Sequence, residues 1–311
     1  MRRKHINIVG EIHADTTHLI RLQQLVTGEL DNHFQCVVAL EANGNELKLQ
    51  DIVNTVPPQR TRIARVRAFL ENNPNQDQDN LDLLNELINI RNTADLTDNA
   101  RQFYIQQLFT NDDIDLAVQR YADRVIPLEE GNFVHDYIAF LSEILRHQFN
   151  NHPLNLDLLR VIPIDLMQDE ALLLDPIRDE NMLNNIVQLL QQYQNIVIFY
   201  SCGVAHISDG QQNNNRLGDL LFERVNNNED EELIIYNLYS PDANGSNDVQ
   251  NHINFFIANH NAINVFVVNQ AQQIIPFLPQ EPPQQPVNQN NDHQLAGQII
   301  EPNEDQNPDQ L

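Results

Sequence analysis

Two tetrapeptides carry residue types that do chemistry. Gly10-Glu11-Ile12-His13 closes an apolar run that begins at Ile6. Gly203-Val204-Ala205-His206 closes another that begins at Ile196. A third apolar run, Gln35 to Leu40, ends on Glu41. If these run-ends meet, Glu11, His13, Glu41 and His206 bring two carboxylates and two imidazoles together. That is a hard-to-borderline ligand set for a divalent cation such as Mn, Zn or Fe. It is equally an acid–base set without metal, a histidine base oriented by a glutamate and acting on water. Both chemistries stay open on the residues alone. Asp15 and His18 extend the set into the helix that follows, with His18 as a candidate cofactor ligand. At five residues from His13, a helix-surface position for His18 is the plainer expectation. Arg178, in the first turn of a later helix, can aim a guanidinium at an oxyanion, or simply pair with Asp175 or Asp179.

The elements that must position these groups follow from periodicity. Ile6, Ile8 and Val9 predict a buried strand, with Gly10 permitting the turn out of it. Leu19, Ile20, Leu22, Leu25 and Val26 predict a helix running to about Asn32, capped by Asp15, Thr16 or Thr17. Strand, helix and strand at this spacing make a βαβ unit with parallel strands, which places Glu41 at the same sheet edge as Glu11 and His13. Further strands are expected at Leu159–Asp165, where Pro163 argues for an edge or an irregular end, at Asn195–Ser201, at Leu233–Leu238 and at Ile263–Val268. Asp175-Pro176 opens a helix carrying Arg178, Met182, Ile186 and Leu190. Helices are also expected near 215–224 and 253–258.

The fold class is therefore α/β: a central mixed, mostly parallel sheet built from two strand–Gly-x-x-His halves, with flanking helices. Residues 45–155 show helical periodicity instead, at Ile63-Val66-Phe69-Leu70, Leu81-Leu84-Leu87-Ile88, Phe103-Ile105-Leu108 and Phe133-Tyr137-Phe140-Leu141-Ile144. They read as a helical insertion or cap within one α/β domain spanning 1–275. Arg60, Arg62, Arg65 and Arg67 fall in this insertion. A solvated helix face is expected of them, ahead of an anion site. Residues 276–311 are acidic, rich in Pro, Gln and Asn, and poor in apolar area, as expected of a disordered tail.

Composition limits the partners. The chain has 18 basic and 44 acidic residues, a net charge of −26, which repels phosphate backbones and anionic lipid. No Lys or Arg follows Arg224. Nucleic-acid binding is excluded, no apolar run is long enough to span a bilayer, and a small molecule or peptide is the expected substrate. Cys36 and Cys202, both on strand-like runs, read as buried reduced thiols. Met1-Arg2-Arg3-Lys4 is not followed by the apolar region of a secretory signal, so the expected location is the cytoplasm of the producing cell, or export without a cleavable signal.

Taken with Arg178-Asp179-Glu180-Asn181-Met182 and the strand ending in Glu41, the two Gly-x-x-His elements resemble the superfamily that contains the TraB/TIKI proteins, the erythromycin esterases and the ChaN-like haem-binding proteins. Order and strand context match as well as letters, over residues 5 to about 225. The Gly-Glu-x-His start with His18 downstream, and the Arg-Asp-x-x-Met step, are most similar to the ChaN-like branch. What the resemblance implies depends on the branch. TIKI-like members are metal-dependent peptidases, which implies Mn, Co or Zn at Glu11, His13, Glu41 and His206. Esterase members open a lactone with water activated by a histidine and no metal. ChaN-like members bind haem. In the hydrolytic branches the resemblance makes Glu11, His13, Glu41, Arg178 and His206 the catalytic set. The expected function is a hydrolase of an amide or ester bond; haem or metal binding without turnover, or an exported interaction protein with a degenerate site, are the alternatives. Cys202 stands where a small apolar residue is usual in the superfamily, and nothing nearby in sequence activates it as a nucleophile.

Overall fold

The strands are runs of β-branched and aromatic residues whose side chains alternate between two buried faces. They are β1 (Lys4–Glu11), β2 (Gln35–Leu40), β3 (Leu47–Lys48), β4 (Leu159–Pro163), β5 (Ile196–Gly203), β6 (Glu231–Asn237), β7 (Asn264–Val268) and β8 (Ile274–Pro276). They form one sheet in the order β3-β4-β2-β5-β1-β6-β7-β8. This computed structural model describes residues 4–12, 15–42, 44–55, 57–91, 95–125, 132–165, 176–208, 216–260 and 264–277. Neighbours from β4 to β7 run parallel. The short edge strands β3 and β8 are antiparallel. The sheet is thus mixed and mostly parallel, within a compact unit Met1–Phe277.

Periodicity does not reveal strand order. β1 and β2 are parallel, as their βαβ spacing implies, but they are not neighbours. β5, from much later in the chain, lies between them and bonds to both, with Gly10 opposite Cys202 and Leu40 opposite Ser201. The two Gly-x-x-His elements therefore leave adjacent strands. β4 lies one strand in from the edge, and Pro163 is its last residue, where the missing amide costs the ladder nothing.

The helices segregate by face. One face of β1, β2 and β5, with Val9, Val38, Leu40, Val197 and Phe199, packs under α1 (Leu19–Asp31) and the insertion. The insertion comprises α2 (Leu49–Val53), α3 (Gln59–Asn72), α4 (Gln78–Asn89), α5 (Asp98–Gln107), α6 (Asn111–Val125) and α7 (Asn132–Asn151). The opposite face, with Ile6, Ile8, Val37, Ala39, Ile198, Tyr200 and Cys202, packs under α8 (Pro176–Gln192), α9 (Leu217–Asn226) and α10 (Asn244–Asn259). After β1 the chain enters α1 on the first face. After β5 it passes a 3-10 turn, Val204–His206, and enters α9 on the second. The carboxyl ends of β1 and β5 thus form a topological switch point, where open α/β sheets hold their ligands.

Local details depart from expectation. α1 begins at Leu19, and its N-cap, His18, makes no side-chain cap bond. Asp15 instead turns back to accept the amide and hydroxyl of Thr17. Gly10 does not make a turn but lies within β1, where a Cβ would come within 2.9 Å of Ile207 and 3.0 Å of Val249. It admits Val204 and Ile207, on either side of His206, and Val249 of α10 close to the strand. Of the four arginines of α3, Arg60 and Arg67 are exposed as expected of a solvated face, and Arg62 and Arg65 are not. Arg62 is buried, donating to the carbonyls of Pro57, Leu87 and Ile90. Arg65 holds Asp113 with both terminal nitrogens. They tie α3 to its neighbours, because carbonyls left over at helix and loop ends need donors. Cys36 and Cys202 are free and buried on opposite faces. Asp175 and Ile263 lie outside the described residues. Of the tail expected over 276–311, Pro276 ends β8 and the Phe277 amide donates to the Val265 carbonyl, so the ordered part runs two residues further than expected; residues 278–311 lie outside the described residues. Among the described residues no helix is long and apolar enough to cross a membrane.

Candidate functional site

Glu11 and Glu41 end the strands on either side of β5, but their carboxylates reach opposite faces. Glu11 follows Val9 by two residues and shares its face, toward the insertion. Its Oε2 accepts from the hydroxyls of Tyr137 on α7 and Ser201 on β5, each at 2.6 Å. His18 Nε2 stands 3.5 Å from the same oxygen. Burial pushes the Glu11 carboxyl up, but His18, Ser201 and Tyr137 outweigh it and hold it below its ordinary value. The surface expectation for His18 is overturned: its ring is fully buried, against Tyr239. Tyr239 in turn accepts the Ile12 amide and donates to the Asp15 carbonyl. Burial, then the Glu11 charge, raises the Tyr137 phenol well above its usual range, so it stays a donor.

Glu41 points to the α8 face. Its Oε1 meets Arg178 Nη2 at 2.5 Å and His206 Nε2 at 3.2 Å, and its Oε2 accepts the Gly203 amide at 2.8 Å. Arg178 also grips Asp165, just beyond β4, through Nε at 2.9 Å and Nη2 at 2.5 Å. His206 Nδ1 lies 2.5 Å from Asp179 Oδ1. Arg216, the N-cap of α9, stands 3.1 Å from Asp179 through Nε and donates to the Ala205 carbonyl. The result is an alternating chain of buried charges, Asp165–Arg178–Glu41–His206–Asp179–Arg216, linking the ends of β2, β4 and β5 to the starts of α8 and α9.

This chain fixes the charge on its members. Burial opposes the imidazolium of His206, but Asp179 and Glu41 outweigh it and raise the group to about 9. Burial also opposes the Glu41 carboxylate, yet His206, the Gly203 amide and Arg178 bring it down to about 2. Asp165 and Glu41 raise Arg178 further against the same opposing burial. At neutral pH His206 is thus a cation and a proton donor, not a free base. Cys202, between the two carboxylates, is raised by burial and then by Glu41, Glu11 and Asp179, so its thiol stays protonated and is no nucleophile.

The structure therefore joins Glu41, Arg178 and His206 directly, and pairs Glu11 with His18 on the other face. His13 lies outside the described residues. The described members of the expected metal set do not suit one shared ion. Arg178 already presents a cation to Glu41 Oε1, and Glu11 Oε2 is occupied by two hydroxyls. Among the described residues Arg178 takes Asp165 and Glu41 as partners, while Asp179 pairs with His206 and Arg216 instead; Asp175, the other expected partner, lies outside the described residues. Asp165, Arg216, Tyr137 and Ser201 are not expected in the site from the sequence, and Asp179 is expected only as a partner of Arg178. Asp179 carried a signal, since the Arg178-Asp179 step is part of the resemblance. Tyr137 carried none, because helical periodicity accounts for it as core.

Separately, Asp31, His147 and His152 bring three ligand-type atoms within 4.8 Å of one another, an arrangement able to hold a metal ion. A cleft of about 1240 Å³ lies in the insertion, lined by residues such as Glu46, Arg62, Asp113, Arg120 and Tyr121. It contains none of the sheet-edge groups, so its size does not bear on their chemistry. No protein-family model, no curated protein and no solved structure matches the chain.

Proposed function

We propose that the chain is a hydrolase of an amide or ester bond, working without metal at the carboxyl edge where β1, β5 and β2 end side by side. The observation that carries this is the placement of His206 between two carboxylates. The ring is held as an imidazolium between Asp179 and Glu41, with its Nε2 3.2 Å from a carboxylate oxygen and Arg178 on that same oxygen. A preorganised pair of cations at a switch point suits stabilisation of charge developing on a carbonyl oxygen. The resemblance to the superfamily that contains the erythromycin esterases supports the same assignment, because those members use a histidine and water without metal.

In this reading water attacks the carbonyl carbon while the substrate displaces Glu41 Oε1 from its two donors, so that the Arg178 guanidinium meets the oxyanion and His206 Nε2–H is freed for the leaving group. The C–O or C–N bond then breaks, and the leaving group takes a proton from His206. The proton lost by water passes to His13, the base that the resemblance implies, and exchange with solvent then deprotonates His13 and reprotonates His206 for the next turnover. Asp179 keeps the imidazole oriented and charged, the part an anionic partner plays for any catalytic histidine. Glu11, enclosed by hydroxyls on the opposite face, braces the end of β1 from which His13 follows.

The test is turnover by the full chain on a panel of p-nitrophenyl esters and chromogenic peptide amides. A measurable rate is expected, falling about 100-fold or more in His206→Ala, with circular dichroism unchanged. No turnover on any substrate, or an undiminished rate in the variant, contradicts the proposal.

A further inference from the structure

We propose that Asp31, His147 and His152 form a binding site for a divalent first-row cation such as Zn²⁺, which clasps the C-terminal end of α1 to that of α7. The site is independent of the hydrolytic reading and lies on other residues.

The geometry is that of ligands awaiting a common centre. Asp31 Oδ1 is 2.8 Å from His147 Nε2 and 3.5 Å from His152 Nε2. Tetrahedral ligands with bonds of about 2.1 Å stand roughly 3.4 Å apart. Drawing the three atoms around one ion therefore takes only small side-chain adjustments. Two imidazoles and one carboxylate are the donor types that zinc accepts, with a fourth position left for water or another side chain.

A second observation points the same way. The side chain of His152 is only 10% exposed, and its Nε2 is buried without a hydrogen-bond partner. A buried polar atom aimed into a cluster calls for a ligand. His147 has the outer support of a metal-binding histidine: its Nδ1 is 3.2 Å from the Asn151 side-chain amide. With that amide turned, Oδ1 accepts the Nδ1 proton and leaves Nε2 free for the metal. His33 packs edge-on against the His152 ring at 5.0 Å. Its φ of 61° is one that L-residues seldom adopt, and it stands beside the cluster as a candidate fourth ligand.

The consequence is mechanical. α7 is the last helix of the insertion and carries Tyr137, the donor to Glu11. α1 belongs to the sheet unit. A cation shared by their ends fastens the insertion to the sheet, and a ligand that binds only the folded state raises its stability.

The experiment is titration of ZnCl₂ into chelator-treated full-length protein at pH 7.5, followed by calorimetry and by thermal melting, with Co²⁺ absorption as a readout of coordination. The expected result is one ion per chain, a rise in Tm with Zn²⁺, and visible tetrahedral Co²⁺ bands. The double variant His147→Ala/His152→Ala loses all three: it melts lower than the wild type in chelator, having given up the Asp31 contact, and added Zn²⁺ does not raise its Tm. Asn151→Ala weakens binding by about tenfold, and His206→Ala leaves it unchanged. Failure of the wild type to bind, or binding that persists undiminished in the double variant, overturns the proposal.

Discussion

Glu11 and Glu41 end strands that flank the same neighbour, yet the protein surrounds them in opposite ways. Glu11 is held by two hydroxyls and an imidazole beneath the insertion. Glu41 is held by a guanidinium, an imidazolium and an amide beneath α8. Hydroxyls solvate a carboxylate and tolerate its replacement by a neutral amide. A linked row of full charges does not, because removing one member leaves its neighbours charged and buried. The two ends of one sheet edge thus differ in what they resist: the first is a brace, the second a charged centre whose members stand or fall together.

The sharpest way to break this comparison is Asp179→Ala, which strands both His206 and Arg216. It should cost about 3–5 kcal/mol in denaturant unfolding. Glu11→Gln on the other face should cost less, about 1–3 kcal/mol by the same method. Equal losses at the two sites would erase the distinction.

Stability against pH should carry the mark of the Glu41 side. His206 is raised from its ordinary 6.5 to about 9, so its contribution is full below pH 6.5 and lost as pH climbs toward 9. Glu41 is lowered from 4.5 to about 2, so its contribution is full above pH 4.5 and lost as pH falls toward 2. The pair is therefore strongest between pH 4.5 and 6.5 and contributes on the order of 3 kcal/mol. Unfolding free energies should decline on both sides of that window in the wild type, and the alkaline decline should vanish in His206→Ala. The smallest effect is expected of Tyr137→Phe, which removes one of the hydroxyls on Glu11 and should cost about 1 kcal/mol.

The sheet was legible wherever side-chain alternation is strict. Gln35 to Leu40 is a strand as read, and the α/β class follows from strands separated by amphipathic helices. β3 and β8 were not legible, since two or three residues cannot show a period. α6 escaped because its core residues, Ile114, Val118, Tyr121 and Val125, are interspersed with acids that read as loop. Strand order was hidden altogether, and with it the face each carboxylate takes. Glu41 and His206 were recognisable as chemistry-bearing groups from their place after apolar runs. Asp165 offered the same signal, closing the run from Leu159, but its pairing with Arg178 is made only by the fold; Arg216 offered none.

The account rests on His206 being charged at neutral pH between two carboxylates. Heteronuclear NMR of histidine-labelled protein, with His206 assigned by comparison with His206→Ala, reads that state directly. Both ring nitrogens should be protonated at pH 7, with a titration midpoint near 9 that drops in Glu41→Gln. A neutral ring at pH 7, or a midpoint indifferent to Glu41, would contradict it.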